Sequence, residues 1–263
     1  MPNSAGPGLN SMSVNGGGPA SLVSLTAVPV LETEVLLGRE GAAALALWRA
    51  RPGEIFTVVD PEQGWYRARL LNLEADRAVV VPFTRLPRPA ESPLAIEVYQ
   101  ALPEKERFEL ILQKLTEIGV HRIAPCISRR SITLQERDAG QKKSHRWPEV
   151  LLRAARQCRR GMIPELMPVL TWEETLDQAQ HADLKLILYE GEAPWTLREV
   201  LAKDNPQCIA LLVGPEGGFA EAEVAEAQQQ GFLPVSIGPR IFRTETAAIV
   251  GAALLQFAAG DLD

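Results

Sequence analysis

Hydrophobic positions along this chain keep two different rhythms. From Leu25 to about Pro89 they alternate with polar positions in short runs such as EIFTVVD, Glu54–Asp60, and WYRARLLNL, Trp65–Leu73. Turn signals at Pro52-Gly53 and Pro61 to Gly64 separate the runs. Period-two alternation between such breaks predicts short, half-buried strands and therefore a small β-rich domain. A proline-rich joint follows at Pro87, Pro89 and Pro93, and the rhythm then changes. LAIEVYQA reads as a strand, after which Phe108, Ile111, Leu112, Leu115 and Ile118 recur at helical spacing and stop at Gly119. The strand VHRIAPCIS leads to a basic helix expected from about His145 to Arg160. DLKLILYEG, a short helix around Trp195 to Lys203, CIALLVG, a helix ending before Gly231, FLPVSIG and a last helix complete the alternation. Strands alternating with helices predict an α/β fold built on a parallel sheet. The expected division is a disordered tail over residues 1–20, a β domain over 21–90 and an α/β domain over 91–263.

In a parallel sheet ligands sit beyond the carboxyl ends of the strands, so chemistry is sought just after each strand. Three strand ends stand out: Tyr189-Glu190-Gly191, Gly214-Pro215-Glu216-Gly217-Gly218 and Gly238-Pro239-Arg240. No Lys follows the glycine pair at 217 and 218, which argues against a P-loop, and the spacing and late position argue against a dinucleotide fingerprint. What the loop offers is backbone without side-chain bulk, able to approach a flat ring such as an adenine edge. At the next strand end, Arg243, Thr244, Glu245 and Thr246 crowd the start of the last helix. The hydroxyls and the acid suit a helix start, but Arg243 opposes the helix dipole and is the better candidate for an anion or a developing negative charge.

Composition refines this picture. The 263 residues are 46% hydrophobic and 23% charged, which describes a globular protein. The uncharged apolar run Ala247–Ala259 is too short for a bilayer span of ~20 residues. Met1–Ala20 has neither a basic start nor an apolar core, so no signal peptide is read there and a cytoplasmic location is expected. Cys126, Cys158 and Cys208 are too far apart for a CxxC site, so buried free thiols and no metal are expected. Net charge is −6, yet residues 122–160 hold eleven Lys and Arg against three acids, a local excess of +8 that leaves −14 on the rest. Such a basic patch suits phosphate binding. Its candidates are Arg129, Arg130, Lys142, Lys143, Arg156, Arg159 and Arg160, expected beside the ligand loop.

The pair LLVGPEGGFAEAEV and SIGPRIFRTETAA resembles the signature of the ribosomal RNA small subunit methyltransferase E family, in the SPOUT class of knotted methyltransferases. ELILQKLTEIGVHRIAPCIS, RAARQCRRGMIPEL and, in the first part, WRARPGEIFTVVD agree with it, so that the resemblance runs from about Leu36 to Phe257. Two departures are visible. Ala220 stands where a capping serine is usual, and Ala42 to Ala44 lack the usual histidine. The resemblance implies a trefoil-knotted SPOUT sheet behind a PUA-like RNA-binding barrel, with S-adenosylmethionine as donor and N3 of a uridine in 16S ribosomal RNA as acceptor. It implies that Tyr189 and Glu190, the loop Gly214, Pro215, Glu216, Gly217, Gly218, and Ile237, Gly238, Ile241, Arg243 and Thr244 surround the cofactor. Arg243 is then the expected charge stabiliser and Glu245 a candidate base. The alternatives are a catalytically silent RNA-binding protein of the same fold and a nucleotide-dependent oxidoreductase. The uncharged last helix, TAAIVGAALLQFAA, needs cover on most sides, and a homodimer contacting Gly251 and Ala252 would supply it.

Overall fold

The computed structural model describes residues 13–103, 107–133, 135–136, 144–191, 193–201, 206–259 and 262. Lys142 and Lys143, two of the expected phosphate ligands, lie outside them. Two sheets organise the chain. The first holds β1 (Val23–Ser24), β2 (Val35–Leu37), β3 (Ile55–Val59), β4 (Trp65–Leu73) and β5 (Ala78–Arg85) in the order β1-β3-β4-β5-β2. Only β1 and β3 pair in parallel; the other pairs are antiparallel, and β4 slips register against β5 at Arg67/Ala68 and Leu70/Asn72. Such irregularities bend a strand and curl its sheet. The alternating sequence of β4 and β5 is what lets one face bury while the other meets solvent.

The second sheet is parallel throughout. It comprises β6 (Ala95–Ala101), β7 (Arg122–Cys126), β8 (Glu165–Leu166), β9 (Leu184–Leu188), β10 (Trp195–Thr196), β11 (Cys208–Val213) and β12 (Leu233–Ser236), ordered β10-β12-β9-β11-β6-β7-β8. The central strands β6 and β11 are buried along almost their whole length, as strands covered on both faces must be. The helix Arg107–Glu117 buries Phe108, Ile111, Leu112 and Leu115, the positions its periodicity named, and the chain leaves it through Gly119 at φ +92°. The expected basic helix shortens to Trp147–Gln157 behind a 3-10 turn.

The two sheets share one hydrophobic core, running from Val23 and Val58 of the first and Leu45 of the helix Arg39–Leu47 to Ile96 of the second and the helix residues Ile111 and Leu151. Polar bonds fix the joint. Glu91 accepts from the Arg160 guanidinium at 2.5 Å and from the Gly161 and Met162 amides at 2.8 and 3.0 Å. Arg160 also donates to the Val120 and Thr116 carbonyls, and its side chain is only 4% exposed. Gly161 has no room for a side chain, since a Cβ there would stand 2.4 Å from the Trp65 ring. Residues 13–20 depart from the tail expected of them. Val14 and Gly18 donate to the Leu166 and Ile163 carbonyls at 2.8 and 2.7 Å, and Asn15 bridges Pro164 and Leu166. Unsatisfied backbone groups beside β8 recruited a segment whose polar composition looked featureless. Of the cysteines only Cys126 is buried; Cys158 and Cys208 are half-buried.

His121 lies beside this joint. Burial, and then the Arg160 charge, push its pKa down to about 4. Below pH 6.5 the unfolded chain therefore takes up a proton that the native state refuses, and this part of the stability is lost as pH falls towards 4. A shift of that size corresponds to up to roughly 3 kcal/mol. Urea midpoints at pH 7.5 and 4.5 should show a smaller acid loss for His121→Gln than for the native chain. Glu91→Ala, which leaves Arg160 buried without its counter-charge, should cost about 3–5 kcal/mol at neutral pH, read from the same unfolding curves.

Candidate active site

Three loops at the carboxyl ends of β9, β11 and β12 enclose a cleft of about 280 Å³. Of the residues named from sequence, Tyr189, Glu190, Gly214, Pro215, Gly218, Ile237, Gly238, Pro239, Arg240, Ile241 and Thr244 line it, joined by Phe242. Glu216 and Gly217 belong to the loop but not to the lining. Glu216 is held by Arg107 at 2.8 Å, and the Gly217 carbonyl accepts from Arg130 at 2.8 Å.

The two glycines of the pair have different jobs. Gly218 sits at φ +65°, and a Cβ there would lie 2.3 Å from Glu190 Oε1 on the neighbouring strand end. Gly214 packs on the Gly218 backbone, where a Cβ would come within 3.3 Å. At Gly217 an added Cβ would meet only Arg130, at an ordinary 3.5 Å, so the two glycines are not equivalent.

A polar staple that the sequence did not single out ties the loops to the last helix. Thr244 Oγ1 donates to the Gly214 carbonyl at 2.6 Å and accepts from Gln100 Nε2 at 3.0 Å, and Gln100 also donates to the Ala101 carbonyl. Gln100 is fully buried at the carboxyl end of β6. Its signal was a lone amide in an otherwise apolar strand end, LAIEVYQA. The missing serine at Ala220 is compensated in part by Glu223, whose carboxylate accepts from the Ala220 amide at 2.9 Å and the Arg129 amide at 2.7 Å. That supplies the acidic half of a capping box and joins the turn after β7 to the helix Glu221–Gln229.

Arg243 and Glu245 stand at the head of the helix Thr244–Ala259 and outside the cleft lining. Arg243 is exposed, and its carbonyl accepts from the Ala247 amide at 2.8 Å, which makes it the residue that opens the helix. Glu245 is half-buried, with Oε2 shielded and unpartnered among the described residues.

The described arginines named from the basic segment divide between the two ends of the sheet. Arg129 and Arg130 follow β7 and join the cleft side, where Arg129 pairs with Glu226 at 2.9 Å. Arg156, Arg159 and Arg160 sit instead at the amino end, so they are not beside the cleft as expected, and Arg160 is a buried joint residue, not a phosphate ligand. At that same end Glu97, His181 and Cys208 converge within 4.8 Å. Arg122 already binds Glu97 and Glu165 at 2.8 and 2.7 Å, and burial pushes the Cys208 thiol up to about 12, so the cluster is an ion-pair network with a protonated thiol.

The RNA methyltransferase domain model matches residues 90–256, the whole parallel sheet and its loops. The chain belongs to the ribosomal RNA small subunit methyltransferase E family. It is 34% identical to the protein of that name from Buchnera aphidicola (Schizaphis graminum) over 65% of this chain and 69% of that one. With the Mycobacterium bovis protein it shares 32% over 82% and 83%. Among solved structures, the Neisseria gonorrhoeae ribosomal RNA small subunit methyltransferase E bound to S-adenosyl methionine superposes with a TM-score of 0.65 at 32% identity, covering 91% of this chain and 98% of that one.

The two glycines provide the sharpest check on the cleft. Gly218→Val should remove measurable S-adenosylmethionine binding by calorimetry while far-ultraviolet circular dichroism stays native, whereas Gly217→Ala should bind within about threefold of the native chain. Equal affinity in all three would detach the glycine loop from the ligand.

Proposed function

We propose that this chain transfers a methyl group from S-adenosylmethionine to N3 of a uridine in 16S ribosomal RNA. The observation that carries the proposal is the cleft itself, walled by three strand-end loops, with Gly218 in a left-handed conformation against the Glu190 carboxylate. Backbone N–H and C=O groups at such a wall can match an adenine edge, and Tyr189, Ile237 and Ile241 offer apolar contact for the rest of the cofactor. The bound sulfonium supplies an electrophilic methyl. The three strand-end loops and the staple at Gly214 and Thr244 occupy the part of the chain where the resemblance implies the trefoil knot. The curled five-stranded sheet supports the reading of residues 21–90 as a PUA-like barrel and of residues 91–263 as the SPOUT domain.

A neutral uracil N3–H is a poor nucleophile, so the chain must accept its proton and hold the charge left on the ring oxygens. Arg243, exposed beside the lining residues Phe242 and Thr244, is assigned the charge-holding role. Glu245, with a shielded oxygen lacking a donor among the described residues, is assigned as proton acceptor. Holding the target ring and the donor in line accounts for much of the remaining rate. A ribosomal RNA substrate supports a cytoplasmic location; no helix among the described residues is long and apolar enough to cross a membrane.

The last helix supports a homodimer, through a different face from the one expected. Ala252 is fully buried, and Gly251 packs against Leu188 and Leu211 of its own sheet. Leu254 and Phe257 instead remain 38% and 68% exposed, a stripe that a second copy would cover.

Mass mapping of modified uridines in small-subunit ribosomal RNA, with and without the purified protein and S-adenosylmethionine, tests the reaction: one new N3-methyluridine is expected, and an unmodified RNA would reject the proposal. Arg243→Ala should lower kcat by about 10²–10³ with little change in cofactor affinity. Sedimentation should give twice the 28.8 kDa chain mass for the native protein and monomers for Phe257→Glu combined with Leu254→Glu.

A further inference from the structure

A groove of about 700 Å³ runs between the five-stranded sheet and the end of the helix Trp147–Gln157. Its size falls within the ~300–1,000 Å³ typical of ligand sites. Half-buried Phe56 and Phe83 contribute flat apolar surface, and Arg69 lies 5.8 Å from the Phe83 ring centroid. Arg67, Arg156 and Arg159 line the same groove.

The arginines are held there at a cost. Arg159 adopts φ +59°, a left-handed conformation that non-glycine residues rarely take. Two bonds fix it, because its carbonyl accepts from Thr57 Oγ1 at 3.0 Å and from Arg67 at 2.8 Å. Burial, and then the nearby Arg159 charge, hold the Arg67 pKa below the usual arginine range. Neither Arg67 nor Arg159 has a carboxylate partner among the described residues, and the one acid in the lining, Glu54, stands 3.8 Å from Arg156. Two guanidinium groups without a carboxylate partner among the described residues thus line the same groove as two phenylalanine rings, a combination that suits an anion attached to a flat ring.

We infer that this groove is a nucleotide subsite for single-stranded RNA, in which an unstacked base lies against Phe83 and Phe56 and the adjoining phosphate is held by Arg67 and Arg159. Bases in a duplex hide their faces, so stacking on protein aromatics selects unpaired RNA. The groove borders the amino end of the parallel sheet and the cleft its carboxyl end, so the nucleotide bound here is not the one that enters the cleft of the same chain. The inference rests on the proposed function for its choice of RNA, but its test separates the two.

The full-length protein is titrated with a fluorescein-labelled oligouridylate carrying one 4-thiouridine, by anisotropy across a salt series and by photo-crosslinking. Arg67→Gln combined with Arg159→Gln should weaken binding about tenfold or more and make the log–log salt slope shallower by ~0.7 for each phosphate no longer neutralised. Phe83→Leu, which keeps the apolar volume and loses the stacking face, should weaken binding roughly tenfold with an unchanged salt slope. Cofactor affinity should stay native in all of these, and Arg39→Gln, on an exposed helix position, should change nothing. Crosslinks should fall on β5 and the 155–160 segment. Unchanged affinity and slope in the groove variants, with crosslinks confined to the glycine loop or absent, would overturn the subsite, including the case in which the groove holds a protein segment instead. Groove crosslinks without any methylation of ribosomal RNA would keep the subsite and reject the proposed reaction. Methylation with native KM in the groove variants would do the reverse.

Discussion

The Thr244 hydroxyl decides how the cleft is built. It donates to the carbonyl of Gly214 and accepts from Gln100, joining the ends of β6 and β11 to the first turn of the last helix. Each partner is buried or half-buried, so a bond lost here would leave a polar group poorly replaced by water. Gly214 then packs on the Gly218 backbone, and Gly218 itself takes a left-handed conformation against the Glu190 carboxylate.

The joint between the two sheets follows a related rule with charge in place of a hydroxyl. Glu91 collects a buried guanidinium and two amides, and Arg160 spends its remaining donors on the carbonyls that end the helix Arg107–Glu117 and precede β7. A buried ion pair contributes modest net stability, but its geometry is demanding, and that geometry sets the orientation of the curled sheet against the parallel one. It also determines which arginines remain available. Arg160 is consumed by the joint, while its neighbour Arg159 is turned outward in a left-handed conformation fixed by Thr57 and Arg67. The apolar groove with its unpaired positive charge is thus a consequence of how the joint closes.

Charge along the chain is distributed by the ends of the parallel strands. The turn after β7 sends Arg129 and Arg130 to the carboxyl end, where they brace the glycine loop and the helix after it. The helix Trp147–Gln157 returns the chain to the amino end, carrying Arg156 and Arg159 there. The described arginines of one basic stretch in sequence thus lie on two separate surfaces, one beside the cleft and the other along the groove.

Local pattern determined much of this protein. Period-two alternation marked the curled sheet, helical spacing marked Phe108, Ile111, Leu112 and Leu115, and three bulk-free strand ends named most of the cleft lining, because pleat, helical pitch and glycine conformation are properties of neighbouring residues. Tertiary structure alone decided the rest. Gln100 looked like a stray amide until a strand more than a hundred residues away brought Gly214 beside it. Arg160 looked like its exposed neighbours until Glu91 came within 2.5 Å, and residues 13–20 looked disordered until β8 presented unpaired backbone groups. Gly251 and Ala252 looked like interface positions because helical periodicity says which residues share a face but not what that face meets. In each case the deciding partner is distant in sequence, and a chain read residue by residue carries no distance between such partners.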